Sequence, residues 1–346
     1  MITRSLFPPG AASSVDVLSR GCEQCSKGGK LVLFVHGTCD QRDCFYCPLG
    51  ENRKDVDTVF ANERPVERDE DVLAEARLMD ALGTAVTGGE PQEVLDRTCH
   101  YIELLKDEFG SEHHVHLYTG ITGDAETMAA LAAAGLDEIR FHPPLERWGE
   151  LHGTEWEEIL EVAADAGITP AFEIPGIRAE PEFLDFLDEG KAAFCNINQF
   201  EMSPGNATRM ADRGFELESG HMSAVEGSKA VLREMGDHPQ VYFCTSVFKD
   251  AAQHRNRLKR MAETIRREFD DVTPDGTIVY GKAHVDSDEL AHLGVPEEFY
   301  VEKSTHVELA WWLLEEMVEA GDVDRGEIVE QYPTYDGTVV ERTPLP

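Results

Sequence analysis

Short apolar runs alternate with segments of helical periodicity along most of the chain, and this alternation most narrows the folds open to it. Strand-like runs fall at 31–36, 84–87, 114–119, 138–141, 170–174, 195–200 and 241–245; helical spacing falls at 72–82, 93–109, 125–134, 155–166, 181–189 and 224–235. Parallel strands need crossovers of this length, and a crossover helix returns the chain right-handedly to the same sheet. Six or seven such units in series favour an α/β barrel or partial barrel over an open doubly wound sheet, although periodicity alone allows both. From about residue 270 the pattern changes. There 277–283, 326–332 and 338–342 read as strands and 307–319 as a helix, which makes a C-terminal α/β appendage.

The first strand ends at His36 and runs into Gly37-Thr-Cys39-Asp-Gln-Arg-Asp-Cys44-Phe-Tyr-Cys47-Pro. Five of the eight cysteines, Cys22, Cys25, Cys39, Cys44 and Cys47, fall within 26 residues. The opening MITRSLFPPGAASS has no continuous apolar stretch like a secretory signal, and no run approaches the roughly 18 residues that span a bilayer. A soluble cytoplasmic protein is the expectation, and clustered cytosolic cysteines bind metal more often than they pair. Three thiolates on one loop can ligate three irons of a cubane and leave the fourth open. A loop at the C-terminal end of a strand is also where barrel enzymes keep their chemistry.

Two other metal readings share these residues. A plant-type [2Fe–2S] site has the C-x4-C-x2-C spacing but needs a fourth cysteine nearby, and the next, Cys99, is 52 residues on. Cys22-x2-Cys25 and Cys44-x2-Cys47, with 18 residues between them, have the spacing of a four-thiolate zinc ribbon. That zinc-ribbon interaction module is the non-enzymatic alternative, and it leaves Cys39 unused. Alone, Cys22 and Cys25 cannot close a tetrahedral site. A second cluster, a zinc with two of Cys99, Cys195 and Cys244, a redox pair and plain thiols all stay open for them.

A second motif lies downstream, where the strand at 84–87 breaks into Gly88-Gly89-Glu90-Pro91. With a three-cysteine loop after strand one and Gly-Gly-Glu after strand two, the chain resembles the radical S-adenosylmethionine superfamily over residues 31 to 200. The resemblance implies a partial TIM-like (β/α)6 barrel, open to extension by a seventh strand. It divides the chain into an N-terminal extension with the C-x-x-C pair at 1–30, a barrel at 31–270 and the appendage at 271–346. Carried over residue by residue, it implies that Cys39, Cys44 and Cys47 ligate a [4Fe–4S] cluster whose open iron chelates S-adenosylmethionine. Tyr46 would lie near the adenine, Gly88 and Gly89 would admit the methionine moiety, and Glu90 would help hold its ammonium. Gly176, in Glu173-Ile-Pro-Gly-Ile177, matches an adenine contact. Cleavage of the sulfonium by an electron from a flavodoxin- or ferredoxin-type donor would give methionine and a 5′-deoxyadenosyl radical. That radical abstracts hydrogen from a substrate that could be a protein, RNA or a small molecule. The first gap of the cysteine motif holds four residues where three are commonest. With the context GCEQC…LVLFVHGTC…CFYCPLGENR and the terminal EQYPTYDGTVVER, the chain resembles an archaeal group distantly related to pyruvate formate-lyase activating enzymes.

Polar residues at strand ends are further contact candidates: Arg140 and His142 at the end of strand four, and Asn198 in strand six. His114, His116 and Tyr118 share one face of strand three by period two; they could line the cavity, but half-exposed strand polars are the simpler reading of them. Lys249, Arg255, Arg257, Lys259, Arg260, Arg266 and Arg267 form the one basic run; a helix paired to surrounding acids is favoured over a phosphate or partner dock. Trp311 and Trp312 read as core. The net charge of −36, from 67 acidic and 31 basic residues, would strain a compact fold in dilute salt. At molar salt the Debye length is about 3 Å, so adaptation to a salt-rich cytoplasm is the simplest reading.

Overall fold

The computed structural model of the chain describes residues 18–40, 43–220 and 222–346. The opening segment read for an export signal, and Gln41 and Arg42 between the first two loop cysteines, lie outside the described residues. Two compact units emerge. The first takes in residues 30–76 and 81–252 with those up to Ser26; the second takes in 27–29, 77–80 and 253–346.

In the first unit, helix α1 (Arg20–Ser26) leads to β1 (Lys30–Phe34), the small hairpin β2 (Phe60–Ala61) and β3 (Arg64–Pro65), and α2 (Asp69–Leu78). Alternation then holds through β4 (Gly83–Thr87), α3 (Leu95–Phe109), β5 (His114–Thr119), α4 (Ala125–Ala134), β6 (Glu138–Phe141), α5 (Glu155–Asp165), β7 (Thr169–Gly176), α6 (Pro181–Asp188) and β8 (Cys195–Gln199). After β8 come the short α7 (Ala207–Ala211), α8 (Ser228–Met235), β9 (Val241–Cys244) and α9 (Ser246–Phe248). The sheet order is β3-β2-β1-β4-β5-β6-β7-β8-β9, and the seven strands from β1 through β4 to β9 are parallel neighbours in sequence order. The chain is thus a mixed α/β fold with a parallel sheet.

Local chemistry sets the boundaries. Asp124 accepts from Thr127 N at the start of α4, and Gly135 closes it at φ 100°. Asp80, at φ 47°, follows α2, which ends at Leu78 and not at 82 as the periodicity suggested. Gly227, at φ 83°, delays α8 to Ser228.

The two faces of the strands differ in chemistry. One is apolar and meets the helices: Phe172 packs on Phe183 at 5.1 Å between ring centroids, and Phe141 on Trp156 at 6.3 Å. The other carries His114, His116 and Tyr118 on β5, Glu138 and Arg140 on β6, and Glu173 on β7, by period two. His114 and His116 are buried, 5% and 2% exposed, contrary to the half-exposed reading. Burial drives their imidazoles toward the neutral form, His114 down to about 2 and His116 well below its ordinary value. Most of these polar groups are paired: His116 Nε2 and the Tyr118 hydroxyl are 2.9 Å apart, and Lys30 Nζ meets His114 Nδ1 at 2.9 Å and the carbonyls of His114 and Thr84, while the buried His116 Nδ1 has no hydrogen-bond partner among the described residues. Helix α1 lies against this face, so close at Gly21 that a Cβ there would stand 2.6 Å from Arg140 Nη2.

In the second unit, α10 (Arg255–Ile265) precedes an antiparallel sheet of β10 (Asp271–Val272), β11 (Ile278–Ala283), β12 (Tyr300–Glu302), β13 (Val307–Leu309), β14 (Gly326–Gln331) and β15 (Val339–Leu345). Helix α11 (Ser287–His292) follows β11, and α12 (Trp311–Ala320) supplies Leu314 and Met317 to a core with Ala283, Val307 and Leu309. The expected helix at 307–319 is therefore a strand followed by a helix: Val307 and Leu309 are buried on either side of Glu308, a period of two. Trp312 is 39% exposed, packing edge-on against Phe299, so it is not core as read. Four arginines of the basic run pair with carboxylates: Arg255 with Asp275, Arg260 with Asp80, Arg266 with Glu263, and Arg267 with Asp270 and Glu308, while Arg257 Nη2 meets His254 Nδ1 at 3.1 Å. Lys249 does not belong to that run; it lies in the first unit.

Candidate active site

The loop after β1 carries Cys39, Cys44 and Cys47 along one wall of a cavity of about 650 Å³ at the C-terminal ends of the parallel strands. Val35 N donates to Thr87 O at 2.9 Å, extending the β1–β4 pairing to the ends of both strands. Beyond it the two loops are stitched together: Gly89 N donates to His36 O at 2.7 Å and Glu90 N to Thr38 O at 2.8 Å. A Cβ on Gly89 would overlap Thr38 O, and one on Gly88 would stand 2.6 Å from His36 O. Both glycines are thus required by loop-to-loop contact, as well as lining the cavity.

Glu90 is fully buried and its carboxylate is a junction. Oε1 accepts from Thr119 Oγ1 at 2.7 Å and Gln92 N at 3.1 Å, and Oε2 accepts from Gly120 N at 2.7 Å. Burial pushes its carboxyl above the ordinary range, and these three donors oppose the shift. A carboxylate has about four acceptor sites, so three donors leave capacity for one more.

Tyr46 and His142 meet across the cavity. The Tyr46 hydroxyl lies 2.7 Å from His142 Nε2, and His142 Nδ1 lies 2.9 Å from Glu173 O. A carbonyl can only accept, so His142 carries a proton on Nδ1. The Glu173 carboxylate then joins two further candidates, accepting from Asn198 Nδ2 and Arg140 Nη1, each at 2.6 Å. Arg140 is 2% exposed and otherwise spent: Nε donates to Glu138 at 2.6 Å and Nη2 to Ser19 at 3.1 Å. Its planar fork anchors the wall, and removing either carboxylate would leave a buried charge short of a partner.

Of the residues named from sequence, Cys39, Cys44, Cys47, Tyr46, Gly88, Gly89, Glu90, Arg140, His142 and Asn198 all line this one cavity. Gly176 does not. Its carbonyl accepts from Ser228 Oγ at 3.0 Å and its Cα faces Ser228 and Phe243, while Ile174 and Pro175 form the wall. Tyr118, named on strand three, lines it as well; Glu173, Glu201 and Lys249 are lining residues that the sequence did not mark as such. Glu173 was signalled by a charge inside the otherwise apolar strand PAFEIPG. Lys249 was hidden inside a run of basic residues; it pairs with Glu201 at 2.6 Å. Burial works against its ammonium, but Cys244 and Glu201 beside it hold its pKa above the ordinary value.

Three thiols on one cavity wall are the donor set that an iron–sulfur cluster takes. Among the described residues, the sulfurs of Cys39, Cys44 and Cys47 do not all lie within 4.8 Å of one another. One zinc draws its thiolates to about 2.3 Å from a common centre, whereas each iron of a cluster takes its own. Nor are the sulfurs of Cys22 and Cys25 gathered with those of Cys44 and Cys47. Cys22 is buried among Tyr242, Cys244 and Phe248, with Arg140 Nη2 donating to its sulfur at 3.6 Å.

A family model described as a domain of unknown function (DUF8061) matches residues 276–345. Among solved structures, the radical S-adenosylmethionine methyltransferase TsrM of Kitasatospora setae, with tryptophan substrate and a SAM analogue bound, is 16% identical at a TM-score of 0.37, covering 73% of this chain and 55% of that one. The coproporphyrinogen III oxidase HemN of Escherichia coli, described as a radical SAM enzyme, is 11% identical at a TM-score of 0.34, covering 91% and 96%. A Methanocaldococcus jannaschii protein with the provisional name glycyl-radical enzyme activating enzyme is 36% identical over 357 residues, which covers 95% of this chain and 93% of the relative. With that identity along nearly the whole of both chains, the protein is an enzyme that belongs to the radical S-adenosylmethionine family, alongside this archaeal relative.

Proposed function

We propose that the protein cleaves S-adenosylmethionine reductively, using a [4Fe–4S] cluster held by Cys39, Cys44 and Cys47. When bound, the cluster and its ligand supply methionine and a 5′-deoxyadenosyl radical for hydrogen abstraction. The observation that carries this reading is the stitching of the Gly88-Gly89-Glu90 loop to the cysteine loop over one cavity, in a chain of the radical S-adenosylmethionine family.

Each wall has its own task. Glu90 offers its remaining acceptor capacity to the ammonium of the bound methionine moiety. Tyr46, oriented by His142, stands beside the adenine, and Asn198, held by Glu173, faces the ribose. Arg140 fixes Glu173 in place. Gly176 could serve only through its backbone neighbours in β7. On this reading the strands within 31–270 form a partial (β/α) barrel extended by its seventh strand, with 271–346 as appendage. The name of the archaeal relative favours a protein substrate and a low-potential donor of the flavodoxin or ferredoxin type. The net charge of −36 suits work in a salt-rich cytoplasm; among the described residues no helix is long and apolar enough to cross a membrane.

The test is product formation. Anaerobically reconstituted full-length protein, given dithionite and S-adenosylmethionine, is expected to yield methionine and 5′-deoxyadenosine in equal amounts. An intact cluster that leaves the cofactor uncleaved would refute the proposal.

A further inference from the structure

The cysteine loop has a second anchor that the family motifs do not account for. Gly88 to Glu90 grip only its near end, at His36 and Thr38. Its far end, which carries Cys44 and Cys47, is gripped by the segment between β8 and α8. Asn206, 1% exposed, donates through Nδ2 to Tyr46 O at 3.0 Å and Glu201 O at 3.2 Å, while its Oδ1 accepts from Ser203 N at 2.7 Å. Ser203 Oγ donates to Pro48 O at 3.1 Å. Arg209 donates to Asp43 twice, to Oδ1 at 2.8 Å and to its carbonyl at 3.3 Å. Phe45, between the two cysteines, is stacked on Phe215 at 5.8 Å with the Arg213 guanidinium 4.7 Å from its ring centre. A Cβ on Gly205 would overlap Leu49 O, so the two backbones are in direct contact.

Backbone carbonyls flanking both cysteines are thus held by side chains from one segment. We propose that residues 203–215 act as a clamp that presets the positions of Cys44 and Cys47 before the cluster binds, with Asn206 and Arg209 as its positioning residues. The inference rests on the cluster assignment above and adds what orders its ligands. A loop free to move would have to be ordered by the metal itself, at a cost in affinity. A preset one carries that cost in the folding of the protein.

The test reads the metal-free, full-length protein by the iodoacetamide alkylation rate of each cysteine, resolved by peptide mass spectrometry. Arg209→Ala removes a partly exposed contact and is expected to speed Cys44 and Cys47 roughly fivefold, the equivalent of about 1 kcal/mol. Asn206→Ala, at a buried site, is expected to speed them roughly tenfold or more. Cys39, anchored by the other loop, and buried Cys195 should keep their rates, and Arg209→Lys should restore most of the protection. Unchanged Cys44 and Cys47 rates in both alanine variants would overturn the clamp. So would acceleration of Cys39 and Cys195 to the same degree, since that reports loosening of the whole fold. In the reconstituted protein, both alanine variants should also lose iron to a chelator faster than the parent, and equal loss would count against the clamp. Should the parent itself bind no cluster, the cluster assignment fails while the alkylation rates still judge the clamp.

Discussion

Replacing Cys44 by alanine should leave a folded protein that no longer assembles the cluster. Cys44 is only partly buried, and its loop keeps the bonds from Asn206, Ser203 and Arg209, so the melting temperature is expected to stay close to that of the parent. Binding is another matter. Thiolate sulfur is the ligand of this cluster type, and among the described residues the cavity lining holds no further thiol beyond Cys39 and Cys47 to replace it. Changing an outer-shell partner of a metal site typically costs 10–100-fold in affinity, and losing a ligand should exceed about a hundredfold. Iron and sulfide content and the brown chromophore measure this. A Cys44→Ala protein with the parent's iron content would remove the cysteine loop from the account, whereas Cys22→Ala should retain the full cluster.

Glu90→Ala has the second largest expected effect, and a mixed origin. Its carboxylate is bound by three donors in a fully buried site, and truncation leaves Thr119 Oγ1, Gly120 N and Gln92 N without it. Unmaking such charge-assisted bonds should cost about 3 kcal/mol and several degrees of melting temperature. Glu90→Gln keeps an oxygen for Thr119 and Gln92 and should recover part of that stability. It cannot hold an ammonium as a carboxylate does, so S-adenosylmethionine binding should stay weak, by roughly tenfold or more. The two variants therefore separate scaffold from ligand contact. A Glu90→Gln protein that binds S-adenosylmethionine as the parent does would show that Glu90 only ties the loops together.

How much was legible beforehand follows from which interactions are local. The cysteine loop and Gly-Gly-Glu stand at strand ends, and strand periodicity placed both at the same edge of the sheet. That their glycines serve contact between two loops was not legible, because the partner atoms, His36 O and Thr38 O, are backbone. His142 was named for its place after a strand, but its partners Tyr46 and Glu173 lie far off in sequence. Gly176 comes directly after the lining residues Glu173, Ile174 and Pro175, and its surroundings, Ser228 and Phe243, are distant in sequence. Lys249 read as part of a basic helix, since nothing local distinguishes a lysine facing Glu201 from one facing solvent. The strand at Val307–Leu309 was absorbed into a helix because three residues of alternation are too few to outweigh the helical spacing that follows. The clamp from residues 203–215 was invisible for the plainest reason: its bonds to the cysteine loop span about 160 residues.

The central claim, that the three-cysteine loop holds a cluster with an iron open to S-adenosylmethionine, is tested most directly by low-temperature EPR of anaerobically reconstituted, dithionite-reduced protein with and without that ligand. A reduced [4Fe–4S] signal whose g-values shift on addition of S-adenosylmethionine is the predicted result. A reduced cluster signal indifferent to the ligand, or bound zinc with no cluster signal at all, would contradict it.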